Sequence, residues 1–221
     1  MFISFSSLNS FLTCPRRWKW LQTEPLELTP PLRIGDLVHR TLRRAVEEDI
    51  DILEALPLCV EGETPSEIAA SRNILRKFDL PLGKVIALEQ KFEFDLGKHT
   101  VVGVVDRVEE IDGKTVITDY KTGKQVNDDY HLQAAIYTMA YPDSLFRFYY
   151  ITLGKIITHN FTPQELDQQA KLIEAIADYM ETCEEFEPAP NKYCRTCQFL
   201  SRCADGQRNS TGSFPPLRRR T

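Results

Sequence analysis

What this chain lacks narrows its function before any motif is read. It has no excess of positive charge: 27 Lys and Arg stand against 32 Asp and Glu, a formal net charge of −5 over 221 residues. That balance argues against indiscriminate binding of polyanions, so any such contact must come from local patches. No apolar run is long enough to span a bilayer and no secretory leader is recognisable, so the expectation is a cytoplasmic chain with no membrane partner. Cysteine is limited to six residues; in a reducing compartment a disulfide framework is not expected of them. No glycine-rich Walker-type loop is present, so the chain is not itself an ATP-driven motor. Histidine is sparse too, at four. His99, His131 and His159 sit in turn-like or polar settings, which leaves His39 as the one with a suggestive neighbourhood. The remaining composition, 42% apolar, is that of a soluble globular protein with one substantial core.

What is present centres on a β-hairpin. Val101-Val102-Gly103-Val104-Val105-Asp106-Arg107-Val108 is β-branched and predicts a strand. Asp112-Gly113 is a strong two-residue turn signal, and Lys114 to Lys121 reads as the returning strand. Side chains alternate along a strand, so Asp119 and Lys121 share a face. The hairpin brings Asp119 back towards Asp106, with the register open by a residue or two. Two converging carboxylates suit a hard cation such as Mg²⁺ or Mn²⁺, with Lys121 beside it as a point charge for a phosphate oxygen. Taken alone, Asp-x-Lys is short, and an alternating charged strand end is more often a solvated edge.

Two helices add to the hairpin. In Leu32 to Val46 the apolar positions 34, 37, 38, 42, 45 and 46 recur at helical spacing. Gly35 and His39 are four apart on one face, so the glycine leaves space beside an imidazole able to ligate a divalent metal. A second helix is expected from about Tyr130 to Tyr141, burying Leu132, Ala135, Ile136, Met139 and Ala140. Gln133 and Tyr137 align away from the centre of that stripe. They could hold phosphate, position Lys121 or cap the sheet. Glu89 faces opposite Leu88, Phe92 and Phe94 and reads as a solvent-facing residue, outside the metal set.

The cysteines form a pattern of their own: Cys194-x₂-Cys197-x₅-Cys203 near the end of the chain, and Cys14 near its start. Four thiolates could hold an iron–sulfur cluster or a tetrahedral zinc ion. Cys59 and Cys183 read as ordinary thiols. Arg16-Arg17 with Trp18-Lys19-Trp20 offers cations beside stacking surfaces, and Arg40, Arg43 and Arg44 line the helix of His39.

In this order the elements resemble the RecB-type branch of the PD-(D/E)XK nuclease superfamily, notably CRISPR-associated RecB-like exonucleases and the AddB nuclease domain. The shared set is Ser6-Ser7-Leu8 leading to Cys14-Pro15-Arg16-Arg17-Trp18, then Gly35-x₃-His39, Gly103-Val104-Val105-Asp106-Arg107, Asp119-Tyr120-Lys121-Thr122-Gly123, Gln133-x₃-Tyr137 and the cysteine run. It spans about residues 3 to 204. The resemblance implies metal ligation by His39, Asp106, Asp119 and the Tyr120 carbonyl. It implies that Lys121 orients or activates the attacking water, with Gln133 and Tyr137 as accessory groups. It also favours a structural 4Fe–4S cluster on Cys14, Cys194, Cys197 and Cys203 over zinc. The implied substrate is DNA, bound in part by Arg16, Arg17, Arg40 and Arg43 and cut as an exonuclease on single-stranded ends. The implied setting is DNA repair or CRISPR spacer processing, with a helicase or integrase as possible partner. A non-catalytic cluster-bearing subunit that binds DNA or such a partner is the competing reading.

The expected architecture is one α/β domain over 1–204, with a mixed central sheet flanked by helices. A helical part at 1–82 precedes a catalytic sheet core at 83–161 and a helix-and-cysteine segment at 162–204. Residues 205–221 read as a flexible basic tail. Thr162-Pro163-Gln164-Glu165 is a helix start by its capping pattern.

Overall fold

The computed structural model describes residues 1–79, 83–126 and 130–211. Asp128-Asp129, just before the expected second helix, and Arg218-Arg219-Arg220 of the expected basic tail lie outside the described residues. The chain forms two compact units: Met1–Phe5 with Leu28–Ala175, and Ser6–Glu27 with Ile176–Thr221.

The first unit holds a mixed sheet. Strands β1 (Phe2–Ile3), β2 (Lys84–Leu96), β3 (His99–Ile111), β4 (Lys114–Lys121), β5 (Leu145–Tyr150) and β6 (Lys155–His159) run in the order β1-β3-β4-β5-β6, with β2 also paired to β3. The β1–β3 and β4–β5 pairs are parallel and the others antiparallel. The β3–β4 turn is Asp112-Gly113, both residues at positive φ (51° and 73°), as a two-residue turn matching strand twist requires. The two strands expected around the Asp112-Gly113 turn are thus observed as β3 and β4.

Helices flank the sheet: α3 (Pro30–Glu47), α4 (Ile52–Ala55), α5 (Pro65–Leu75) and α6 (His131–Ala140), while α7 (Pro163–Thr182) begins in this unit. Proline at the first turn starts α3 and α5, where its missing N–H costs nothing. A capping box closes α5, with Thr64 and Glu67 each serving the other's backbone N–H. The same exchange between Thr162 and Glu165 starts α7. Leu37, Val38 and Leu42 of α3 pack with Leu56, Leu75, Tyr120, Tyr149 and Ile151 into a buried core. The 49–64 stretch, to which no role is assigned from sequence, supplies Leu56 and Cys59 to that core.

A polar cluster is buried beside it. Glu109 Oε1 accepts from Thr118 Oγ1 (3.0 Å) and an Arg147 guanidinium nitrogen (2.6 Å). Its Oε2 accepts from Arg107 Nε (3.0 Å) and the Gly83 N–H (2.8 Å). One carboxylate thus ties together β3, β4 and β5.

In the second unit, α1 (Phe5–Thr13) and α2 (Pro15–Leu21) are separated at Cys14, with Pro15 opening α2, and α8 (Ala204–Thr211) follows the cysteine segment. The start of the expected tail is therefore helical: Asp205 in its first turn pairs with Arg208 and Arg16. Among the described residues no helix is long and apolar enough to cross a membrane.

Candidate metal and phosphate site

The site lies where β3 and β4 part. Their last ladder pair is Arg107↔Thr118, so Asp106 and Asp119 stand level at the point of separation. Side chains take over the backbone's hydrogen bonding there. The Tyr120 N–H donates to Asp106 Oδ2 (2.7 Å), and the Tyr137 hydroxyl donates to the Val104 carbonyl (2.8 Å). Both backbone groups that the parted ladder would leave unpaired are thereby satisfied.

α3 delivers His39, whose Nδ1 lies 3.2 Å from Asp106 Oδ1. Burial works against a charged imidazole, but the Asp106 carboxylate outweighs it and lifts the His39 pKa to about 9. Asp106 itself is held below the usual carboxylate range: burial would raise it, but His39 and the Tyr120 N–H prevail. Asp119 differs. Burial, reinforced by the Asp106 charge and opposed by Lys121, pushes it up to about 6. Its Oδ1 accepts from Gln133 Nε2 (2.8 Å). Its Oδ2 has the Lys121 ammonium at 2.6 Å as an ionic partner but, although buried, accepts no well-aligned hydrogen bond.

Lys121 is fixed on three sides. Its Nζ donates to Gln133 Oε1 (2.9 Å) and lies 4.2 Å above the Tyr130 ring and 5.0 Å from that of Phe148. Burial favours a neutral amine, but Asp119 overrides it and the lysine pKa is raised. A lysine so held is a cation at neutral pH, suited to clamp an anion rather than to accept a proton. Gln133 also reaches the Tyr137 hydroxyl (3.0 Å). Both residues are buried within α6, which corrects their expected place away from the buried stripe: α6 is buried continuously from Gln133 to Tyr137, and the pair faces the site. Behind Tyr137, the Phe92 ring packs at 5.4 Å. Phe92 lies over Gly103, where a Cβ would come within 2.4 Å of the ring, so Gly103 lets Phe92 support Tyr137.

Glu89 is the residue that sequence reasoning left out. It stands on β2 between the pairs Leu88↔Arg107 and Gln90↔Val105, level with Asp106. Its φ is +47°, an uncommon conformation for a non-glycine residue and a local irregularity in the strand. The register with β3 is unbroken from Ala87 to Leu96, its one shift lying between Val85 and Ala87. Glu89 therefore stands opposite Leu88, Phe92 and Phe94, as alternation gives, and on the face of Asp106; what alternation does not show is that this face meets His39. The carboxylate joins His39 and Asp106 in a group whose ligand atoms all lie within 4.8 Å of one another. Burial and the Asp106 charge raise its pKa. The signal available in the sequence was only its place opposite Asp106.

These donors fit a hard divalent cation: carboxylate oxygens and one imidazole. Asp119 is turned to Lys121 and Gln133 and is not in the three-residue group. The Tyr120 ring is buried in the core, 6.0 Å from His39. A cleft of about 490 Å³ opens onto His39 and Glu89, lined also by Leu32, Arg40, Arg43 and Thr122. Gly35 makes room not for the imidazole but for Thr122, whose Oγ1 would lie 3.3 Å from an added Cβ.

The expected nucleic-acid cations are unequally available. Arg40 is committed to Asp36, the Cys59 carbonyl and Glu63 at 2.6–2.7 Å. Arg43 lines the cleft with a looser partner, Glu47 at 3.7 Å. In the second unit Arg16 contacts the Phe186 carbonyl, Glu187 and Asp205, and Arg17 donates to Ser10. Trp18 is buried and stacked on Phe186. It is core, not an open stacking surface.

Also within that unit, all four patterned cysteines are free thiols whose sulfurs meet backbone N–H groups. Ala189 approaches Cys14, Asn191 approaches Cys194 and Gly206 approaches Cys203, at 3.3–3.5 Å; Phe199 donates to Cys197. Asn191 links the two ends of the unit by donating to the Thr13 and Ala189 carbonyls.

A mixed sheet thus parts over two acids, with a histidine and a fixed lysine beside them. Comparison with known proteins identifies the family. The model of the PD-(D/E)XK nuclease superfamily matches residues 3–204, and the chain belongs to that superfamily. No curated protein matches. Among solved structures, a candidate exonuclease from Eubacterium rectale superimposes with a TM-score of 0.55 at 14% identity, covering 97% of this chain and 90% of that one. The protein SSO0001 gives 0.48 at 17% identity, covering 92% and 85%.

Proposed function

We propose that this chain is a metal-dependent deoxyribonuclease that hydrolyses phosphodiester bonds, acting as an exonuclease on single-stranded ends. The observation that carries the reading is the convergence of His39, Glu89 and Asp106 beside an Asp119–Lys121–Gln133 relay. His39, Glu89, Asp106 and Asp119 would hold Mg²⁺ or Mn²⁺, with the Tyr120 carbonyl as a further contact. When bound, such an ion lowers the pKa of a coordinated water and neutralises phosphate charge. Lys121, held charged by Asp119, clamps a non-bridging phosphate oxygen. Gln133 fixes the lysine and the carboxylate together, and Tyr137 fixes Gln133. His39 surrenders its proton when it ligates.

In the same proposal Cys14, Cys194, Cys197 and Cys203 carry a structural 4Fe–4S cluster. The N–H group at each sulfur supports that role, because such donors favour the thiolate, at Cys197 against the burial that pushes its thiol up. Iron and sulfide analysis of anaerobically purified protein separates this from zinc. The biological setting would be DNA repair or CRISPR spacer processing, with a helicase or integrase partner.

The test is cleavage of end-labelled single- and double-stranded DNA with Mg²⁺, with Mn²⁺ and with chelator, beside Lys121→Ala. Metal-dependent cutting of single strands, lost in the variant, is expected. Retained binding with no cutting by cluster-loaded protein would refute catalysis by this chain.

A further inference from the structure

Beyond the metal ligands and Lys121 lies a run of rings whose outer members, His159, Phe161 and His131, have no part in the chemistry above. It starts at Lys121, whose ammonium rests against Tyr130 and Phe148. The Phe148 ring meets His159 edge-on at 5.3 Å. His159 and Phe161 are two residues apart and lie nearly parallel, at 16° and 6.2 Å. His131, the first residue of α6, stands 5.0 Å from Phe161 and 5.8 Å from His159. Burial decreases along the row. Phe148 is 1% exposed; Tyr130, His159 and Phe161 are half-buried, and His131 is exposed.

We infer that this row is a base-stacking surface for the single strand whose scissile phosphate lies at Lys121. The inference rests on the nuclease reading for its substrate. Core packing alone explains Phe148, but not why the row continues outward as flat rings that tolerate water at their edges. Imidazole and phenyl faces accept any base, because every base has a π-face, so such a surface is sequence-tolerant. It also selects against duplex, whose bases are stacked on one another and paired. Its inner end is continuous with Lys121, the cation proposed to hold the phosphate, so backbone and base contacts of one strand are satisfied by adjoining groups. The occupant is therefore unpaired DNA near its cleaved end.

The test is a binding cycle on the full-length, cluster-loaded protein, with chelator present to prevent turnover. Fluorescent oligothymidylate is compared with oligonucleotides carrying one abasic site, moved position by position from the end. For the unaltered protein one position is expected to weaken binding by roughly 5- to 150-fold, the range for loss of one stacked base. The double variant His131→Ala/Phe161→Ala is expected to lose the same factor on intact DNA and nothing more on abasic DNA. His131→Phe, which keeps a ring, is expected to retain the abasic penalty and guards against misfolding as the cause. An undiminished abasic penalty in the alanine variant, or equal binding of intact DNA by variant and unaltered protein, would overturn the inference. If the cycle couples while no metal-dependent cleavage is found, the stacking surface stands and only the catalytic reading falls.

Discussion

Metal binding at this site must be paid for in protons, and the number is calculable. His39 in the metal-free protein is protonated up to about pH 9 because it faces the Asp106 carboxylate. An ion entering the site takes the place of that proton as the partner of Asp106. The affinity for Mn²⁺ should therefore fall tenfold for each pH unit below 9. At pH 7, two units lower, it should be about 100-fold weaker than the proton-free limit, or roughly 2.7 kcal/mol at 1.36 kcal/mol per unit. Near pH 6 Asp119 also begins to hold a proton, so the slope steepens towards a hundredfold per unit below that point.

Isothermal titration with Mn²⁺ in buffers of different ionisation enthalpy counts these protons directly. Close to one should be released per ion between pH 7 and 8, and about one and a half at pH 6. His39→Asn keeps an oxygen donor at the position but has no proton to lose. Its affinity should be lower and nearly independent of pH between 7 and 8. The reasoning is refuted if the unaltered protein releases no proton in that window, or if His39→Asn releases as many.

Glu89→Gly should move two properties in opposite directions. It relieves a strained φ of +47°, raising the thermal midpoint by the equivalent of about 1 kcal/mol, while removing a carboxylate and weakening Mn²⁺ binding; a lower midpoint would contradict the strain. Gln133→Ala frees Lys121 and Asp119 from their common amide. Losing charge-assisted bonds of about 1.5–3 kcal/mol each should slow single-turnover cleavage by at least tenfold, and an unchanged rate would deny Gln133 its positioning role. Glu109→Gln leaves the Arg107 and Arg147 guanidiniums without a countercharge. The expected loss is about 3–5 kcal/mol, read as a lower urea midpoint, and an unaltered midpoint would show that the pairing is dispensable.

Where sequence and structure agree, the determinants are local. The β3–β4 hairpin follows from alternating β-branched residues around Asp112-Gly113, so the Asp106–Asp119 juxtaposition could be read within a residue or two. The starts of α5 and α7 follow from a hydroxyl, a proline and a glutamate within four positions. Where they disagree, distant partners decide. Arg16 has the composition of a nucleic-acid contact, yet its acceptors at Phe186, Glu187 and Asp205 lie 170 or more residues away. Neither charge nor spacing near Arg16 reveals them. Gln133 and Tyr137 were visible as a pair, but the direction they face depends on which side of α6 meets the sheet.

Glu89 shows most clearly why a pattern can fail at a functional position. Alternation places Glu89 opposite its apolar neighbours Leu88, Phe92 and Phe94, and the register, unbroken from Ala87 to Leu96, keeps it there, level with Asp106. Periodicity says which face a residue takes but not what covers that face, and here it is met by His39 rather than by open solvent. The positive φ carries a backbone cost of its own, and in the metal-free protein the Glu89 carboxyl is also held against the charge of Asp106. A bound cation would reduce the second of these, since it attracts both carboxylates at once. Opposed like charges beside an imidazole are therefore the ground on which Glu89 is proposed as a ligand.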